Sequence, residues 1–99
     1  MSVNLRALLE EVIEREASDL HITKGSPPQI RLDGNLVKLK TEPLTPDDTK
    51  KICYSILTDA QKAHFEENQE LDMSFGLQGL ARFRANIFNQ RGATAAVYR

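Results

Sequence analysis

Two stretches of the chain carry apolar residues at helical spacing, and three stretches begin at a residue type that commonly caps a helix. Apolar residues recur every three to four positions over residues 4–15, which predicts an amphipathic helix capped by Asn4 or Ser2. Thr45, followed by a proline and two aspartates, predicts the start of a second helix. Thr58 predicts the start of a third helix in the same way.

Shorter stretches alternate apolar and polar residues, as half-buried strands do. Residues 19–23 and 71–75 show this alternation, and residues 29–39 contain two such runs. Asp33 and Gly34 separate these two runs, and an Asp-Gly pair favours a type I′ hairpin turn because both central residues need a positive φ. The pattern therefore predicts three short strands before the middle helices and further strands after them.

The last part of the chain predicts two more strands. Gly76 and Gly79 flank a predicted turn, and residues 80–99 then form two runs around Arg91 and Gly92. Strands on both sides of a helical segment predict an α+β domain. We expect an antiparallel sheet of about five to six strands with helices packed on it.

A two-residue turn at Arg91 and Gly92 sets the register of the last two strands and places Arg84 opposite Arg99. Arg82 lies on the same face as this pair, diagonal to Arg99. The other face carries side chains that we expect in the core: Phe83, Ala85, Ile87, Ala96 and Tyr98.

The charge distribution makes this predicted arginine pair a candidate site. Residues 1–72 hold 9 basic and 14 acidic side chains, a net charge of −5, whereas the rest of the chain holds four arginines and no acid, a net charge of +4. Like charges directly across a strand pair are destabilising, so we expect Arg84 and Arg99 to bind an anion such as phosphate. Alternatively, sheet neighbours such as Asp72 or Asp33 neutralise arginines that are merely exposed.

Composition and motifs exclude several classes of function. The 99 residues suffice for one domain, and a net charge of −1 argues against nucleic-acid binding. The sequence has no apolar run that spans a bilayer, no secretory signal and a single cysteine, Cys53, which together favour the cytoplasm. Its histidines and cysteine have no metal-ligand spacing, so we predict no metal site. The phosphate-loop pattern Gly-x-x-x-x-Gly-Lys-Ser/Thr is absent, so we predict no enzymatic activity and no catalytic residue in this chain.

Asp19 and His21 form an Asp-x-His pair on one face of a predicted strand. Such a pair can orient an imidazole as a general base. No serine or cysteine is evidently placed to act as its nucleophile, and such pairs more often close a local hydrogen-bond network. The structural interpretation is therefore preferred.

Three sequence motifs follow one another along the chain: ASDLHI at residues 17–22, PPQIRLDG at residues 27–34 and ARFRANIFNQRG at residues 81–92. Together they resemble the N-terminal domain of the type IV pilus retraction ATPases, the PilT family of the secretion ATPase superfamily. The first two motifs are shared with the wider superfamily, whereas the third is closer to the retraction branch. The resemblance covers essentially the whole chain.

The resemblance implies a PAS-like fold for residues 1–99, as a single N-terminal domain excised from a longer motor. A RecA-like ATPase domain would follow it and bind ATP and Mg²⁺, so neither ligand is expected on this fragment alone. The parent would be a cytoplasmic homohexamer, peripheral at the bacterial inner membrane, where it meets a pilus platform protein. In that hexamer the domain would pack against RecA-like domains of its own and adjacent subunits.

The resemblance also implies roles for individual residues. The family's N-terminal arginines that contact ATP phosphates are spaced as Arg84 and Arg99 are here, in agreement with the hairpin register. Arg82 and Arg91 are weaker candidates for the same contacts. Four further residues match family motifs and are interpreted as structural, for a turn or for local hydrogen bonding: Asp19, His21, Arg31 and Gly34.

Two other functions compete with this interpretation. A PAS-like domain that is a small-ligand sensor or interaction module predicts a sizeable internal pocket, whereas a motor domain predicts a filled core. RNA binding is the second alternative, because Phe83, Phe88 and Tyr98 lie among the arginines and single-strand binders stack bases on exposed aromatic rings. The predicted burial of Phe83 and Tyr98 places RNA binding last.

Overall fold

The computed structural model describes residues 4–99, which form three helices and six strands. The helices are α1 (Leu5–Glu14), α2 (Pro46–Tyr54) and α3 (Asp59–Asn68). The strands are β1 (Leu20–Ile22), β2 (Gln29–Leu32), β3 (Asn35–Lys38), β4 (Glu70–Leu77), β5 (Ala81–Gln90) and β6 (Ala93–Tyr98). Ser2, the alternative cap of the first helix, lies outside the described residues. Over residues 4–99, no helix has the length and apolar character needed to cross a membrane.

The six strands form one antiparallel sheet in the order β3-β2-β1-β6-β5-β4. β1 and β6 are central neighbours although they are far apart in the sequence, and Leu20 pairs with Tyr98 between them. The predicted α+β class and antiparallel sheet are confirmed. The PAS-like label stays a prediction.

One face of the sheet, which we call the core face, packs against the helices. The largest of the side chains that are less than 2% exposed come from both layers: Leu9, Leu20, Ile22, Pro28, Ile30, Thr49, Cys53, Ile87 and Tyr98. Burial of each leucine or isoleucine stabilises the fold by roughly 1.5–3 kcal/mol. A core filled in this way favours the motor interpretation over a sensor with an internal pocket.

The predicted core positions of the last two strands are all buried: Phe83, Ala85, Ile87, Ala96 and Tyr98. The core-face prediction is therefore confirmed. Burial also removes two of the three aromatic rings on which the RNA-binding alternative depends, since Phe83 and Tyr98 cannot stack on bases.

Side-chain caps set the starts of the helices in this part of the chain, as predicted. The side-chain oxygen of Asn4 accepts a hydrogen bond from the first turn of α1. Thr45 Oγ1 accepts from the backbone N–H of Asp48, and the Asp48 carboxylate accepts from the backbone N–H of Thr45. Thr58 and Gln61 form the same reciprocal capping box at α3.

Both predicted two-residue hairpin turns are present. Asp33 and Gly34 have φ angles of 50° and 84°, and Arg91 and Gly92 have φ angles of 51° and 80°. Positive φ at both central residues is the type I′ geometry, whose twist matches that of the flanking strands. The predicted turn between Gly76 and Gly79 is present but shifted, because β4 continues through Gly76 to Leu77 and the chain turns at residues 78–80.

Candidate anion-binding site

Arg84 and Arg99 lie side by side on the face of the sheet opposite the helices, which we call the outer face. The N–H of Arg84 donates to the carbonyl of Arg99 at 2.9 Å, and the N–H of Arg99 donates to the carbonyl of Arg84 at 2.8 Å. Directly paired residues of antiparallel strands project to the same face of the sheet. The predicted register is therefore confirmed, and the contact of these arginines with phosphate stays a prediction.

Aromatic side chains on the core face anchor the backbone that carries the two arginines. Phe83 and Tyr98 each precede an arginine in the sequence and are buried. Phe75 contacts both: its ring centroid lies 5.8 Å from that of Phe83, nearly stacked, and 6.2 Å from that of Tyr98, edge to face. Such pairs stabilise by about 0.5–1.5 kcal/mol beyond the area that they bury. The arginines therefore project from a firmly packed part of the sheet.

A groove of about 280 Å³ lies on the outer face at the arginine pair. Its lining comes from the last three strands and the residue after them: Asp72, Arg84, Asn86, Val97 and Arg99. Asp72 pairs with Asn86, which in turn pairs with Val97, so these three residues form one row across the sheet. The groove thus combines two guanidinium groups, one amide and one carboxylate.

Arg84 forms a two-point ion pair with Asp72. The Arg84 Nη2–H donates to Asp72 Oδ2 at 2.9 Å, and the Nε–H donates to Oδ1 at 3.3 Å. These hydrogen bonds hold the pKa of the Asp72 carboxyl below its usual value of 3.8, and the positive charges of Arg84 and Arg99 add to the shift against slight burial. The expectation that Asp72 neutralises an arginine therefore applies to Arg84.

Arg99 differs from Arg84 in its surroundings. Its backbone is fixed by the pairing with Arg84, but its side chain forms no ion pair within residues 4–99. The two cations of the groove are therefore unequal, since one has a carboxylate partner and the other has none in the described part of the chain.

The two weaker candidates lie apart from this groove. Arg82 is on the outer face opposite Gly76, where its side chain covers the glycine so closely that an added Cβ would meet its Nη1 at 3.2 Å. Arg91 lies in the β5–β6 turn, roughly 24 Å from Arg84 at about 3.4 Å per residue of strand. Its carbonyl accepts a hydrogen bond from Lys24 Nζ at 2.7 Å. Arg91 therefore does not share the groove of Arg84 and Arg99.

The four motif residues interpreted as structural are linked by hydrogen bonds. His21 Nε2 lies 2.7 Å from Asp19 Oδ2, and the Arg31 Nε–H donates to the same oxygen at 3.3 Å. Arg31 Nη1 also donates to the carbonyl of Gly34 at 3.0 Å, and the Ser18 hydroxyl donates to Asp19. Burial raises the pKa of Asp19, but the hydrogen bonds from Ser18, His21 and Arg31 together outweigh it and lower the pKa below 3.8. This geometry accords with a structural role, which stays a prediction.

Sequence reasoning missed the composition of the groove. Asn86 and Val97 follow from the predicted hairpin register, because they pair directly, but nothing in the sequence marks them as groove walls. The position of Asp72 depends on the β4–β5 register, in which Ser74 faces Arg84 and Asp72 lies diagonal to it. The sequence named Asp72 as a possible neutralising neighbour, but the predicted turn, displaced by one or two residues, did not give the register that places it beside Arg84.

Comparison with known proteins identifies the family. No family model matches the chain. The type IV pilus retractation ATPase PilT of Pseudomonas aeruginosa is 40% identical over 97 residues, which cover 98% of this chain and 28% of that protein. The chain belongs to the PilT family. A crystal structure of the pilus retraction motor PilT with bound ADP is 45% identical to it, with a TM-score of 0.91 over 99% of this chain and 29% of that one.

The PilT resemblance predicted from the three motifs is thereby confirmed. The chain spans less than a third of the length of the PilT proteins that it matches. The DotB ATPase of Legionella pneumophila has a TM-score of 0.80 over all of this chain and 29% of its own, at 20% identity. At that identity the likeness to DotB concerns the fold alone.

Proposed function

We propose that this chain is the N-terminal domain of a type IV pilus retraction ATPase and that Arg84 and Arg99 contact the phosphates of ATP. Its place in the PilT family supports the motor assignment. The observation that carries the proposed site is the paired backbone that sets both arginines on one open face beside a groove.

The groove has the chemistry of a phosphate site. A guanidinium group presents two parallel N–H donors that match two phosphate oxygens, and two such groups on a packed sheet need little rearrangement to meet an anion. The amide of Asn86 adds a neutral donor to the lining. ATP itself, together with Mg²⁺, is assigned to the RecA-like domain that the family resemblance implies.

The partners follow from the same proposal. In a homohexamer, the domain packs on RecA-like domains of its own and an adjacent subunit, so the arginines reach a nucleotide held at that junction. A terminal phosphate that contacts the arginines in a closed arrangement shifts the equilibrium towards closure, and its loss after hydrolysis reopens the site. The proposed setting is the cytoplasmic side of the bacterial inner membrane, beside the pilus platform protein.

The test is to replace Arg84 or Arg99 by alanine in the full-length hexamer. We expect kcat/KM for ATP to fall about tenfold or more in each variant, because a charged contact to the reacting phosphates is lost. Arg15→Ala is the matched control, since this arginine lies on the helical side of the domain in an exposed ion pair with Glu11. Unchanged ATPase activity together with unchanged nucleotide-dependent closure, measured by small-angle scattering, would count decisively against the role.

A further inference from the structure

Asp72 occupies the edge of Arg84 that is best suited to a phosphate. The carboxylate accepts from both Nε–H and Nη2–H, the side-on pair of parallel donors. A phosphate that binds this edge with two oxygens must take the place of the carboxylate. An anion at the remaining end of the guanidinium would still lie close to the negative charge of Asp72. Either way, Asp72 opposes the anion at Arg84.

The Asp72–Arg84 ion pair is exposed enough for an incoming anion to replace the carboxylate. The side chain of Arg84 is 71% exposed and that of Asp72 is 50% exposed. Ion pairs in water are weak because solvent and salt screen them, so an incoming anion of higher charge displaces the carboxylate at little cost. A buried pair with the same geometry would not release its arginine.

Arg99 differs from Arg84 because no carboxylate competes with an anion for its side chain in the described part of the protein. Its side chain has no carboxylate partner within residues 4–99, although Arg99 is close enough to lower the pKa of Asp72. An anion entering the groove therefore meets one arginine that is available and one that is held. Full engagement requires that Arg84 leave Asp72.

We propose that Asp72 is an internal counterion that competes with the nucleotide phosphate for Arg84. Without a triphosphate, the carboxylate on β4 holds the guanidinium; with one, Arg84 moves to the phosphate and Asp72 is released to solvent. This inference rests on the proposed function, because it assigns a regulator to the same site. By competing for Arg84, Asp72 would lower the affinity of the site for the nucleotide and so oppose the closure that the nucleotide favours.

Competition and simple positioning predict opposite changes in nucleotide affinity when the charge of Asp72 is removed. If Asp72 only orients Arg84 for the phosphate, its loss weakens nucleotide binding. If it competes, its loss strengthens binding, and the gain depends on the presence of Arg84. Asp72→Asn is the appropriate variant, because it keeps the shape of the side chain and removes the charge.

The experiment measures binding of AMP-PNP and of ADP to the full-length hexamer by calorimetry. Five forms are compared with the unaltered protein: Asp72→Asn, Arg84→Ala, Arg99→Ala, the double variant of Asp72→Asn with Arg84→Ala, and Asp47→Asn. Asp47 is the control for net charge, since it is an exposed carboxylate that pairs with Lys51 on α2. We expect Asp72→Asn to tighten AMP-PNP binding roughly threefold to tenfold, the size expected for loss of a screened surface charge.

The same gain should be smaller for ADP, which lacks the terminal phosphate, and should vanish in the double variant. Asp47→Asn should change neither affinity. If Asp72→Asn leaves AMP-PNP affinity equal to that of the Asp47 control, or weakens it, the competition is refuted while a loss in Arg84→Ala still supports the proposed function. If Arg84→Ala and Arg99→Ala both keep full AMP-PNP affinity, the proposed function fails and the competition fails with it.

Discussion

Arg84 and Arg99 are joined by two main-chain hydrogen bonds, so their proximity depends on strand register and not on any attraction between their side chains. Two guanidinium groups repel one another, and only the backbone ladder keeps them together. The turn that sets this register lies at the other end of the hairpin, at Arg91 and Gly92. Changes at that turn therefore act on the proposed site from a distance.

Gly92→Ala should destabilise the domain without any steric clash. Gly92 has a φ of 80°, and an added Cβ would find no atom within 4 Å. The cost is then purely conformational, about 1–2 kcal/mol for an L-residue in the left-handed region. Urea unfolding followed by circular dichroism measures it. Gly92→Asn is the control and should lose less, because asparagine tolerates this region; equal losses for the two variants would contradict the explanation.

Asp19→Asn should lower stability at neutral pH and flatten the acid limb of the stability curve. The folded pKa of Asp19 lies below its ordinary value, so the carboxylate contributes stability above about pH 4, which is lost as pH falls through the folded pKa. With its side chain 11% exposed and three groups bonded to it, we expect a loss of about 1–3 kcal/mol at pH 7.

Unfolding free energies between pH 2 and pH 7 test this expectation. The difference between the Asp19→Asn variant and the unaltered protein should shrink towards the acid end. Asp47→Asn, an exposed carboxylate on α2, should show little difference at any pH. A constant difference across the range would mean that the Asp19 charge is not the stabilising feature.

Local rules account for what the sequence predicted well. Thr45 and Thr58 were predicted as caps because a hydroxyl before a helix satisfies an otherwise free N–H, and the Arg84–Arg99 pairing followed from the length of one turn. Each of these predictions involves residues within one helix start or one hairpin. Sequence patterns determine such features almost completely.

Non-local features were not accessible in the same way. Strands β1 and β6 pair with each other, so Leu20 lies beside Tyr98 although most of the chain separates them. No periodicity in the sequence encodes that pairing. Asp72 was named from the sequence as a possible partner of an arginine, but its pairing with Arg84 depends on where β4 ends. β4 runs one residue past Gly76, whereas the turn was predicted to follow that glycine directly, because glycine weakens strand patterns. In the fold, Gly76 accommodates the overlying side chain of Arg82.

Leu9→Ala should be strongly destabilising, whereas Ile13→Ala on the same helix should not. Leu9 is 0% exposed in the core and Ile13 is 42% exposed at its edge. Truncation of a buried leucine leaves a cavity and costs about 2–5 kcal/mol, while a surface change of this kind stays within roughly 1 kcal/mol. Thermal and urea unfolding of the two variants compare them directly. Similar losses of unfolding free energy at both positions would contradict the assignment of Leu9 to the core and of Ile13 to its edge.

Tyr98→Phe should leave stability unchanged or raise it, although Tyr98 is among the most deeply buried side chains. Its hydroxyl has no hydrogen-bond partner of good geometry within residues 4–99. The Cys53 thiol lies near enough to interact with it, but a thiol is a weak hydrogen-bond partner and does not satisfy the hydroxyl. Burial raises the pKa of Tyr98 well above its usual value and that of Cys53 to about 12, so both groups stay neutral. Removing an unsatisfied hydroxyl relieves a desolvation cost of about 1–3 kcal/mol, partly offset by the small void.

Tyr54→Phe is the matched control, because the Tyr54 hydroxyl donates to Glu66 at 3.0 Å on the surface. We expect the control to lose up to about 1 kcal/mol while Tyr98→Phe loses nothing, as measured by urea unfolding at pH 7. A loss of more than about 1 kcal/mol in Tyr98→Phe would contradict the prediction, since it requires a satisfied hydroxyl. Retained stability in this variant would indicate that packing of the Tyr98 ring, which meets Phe75 edge to face, stabilises the strand end before Arg99 without help from the hydroxyl.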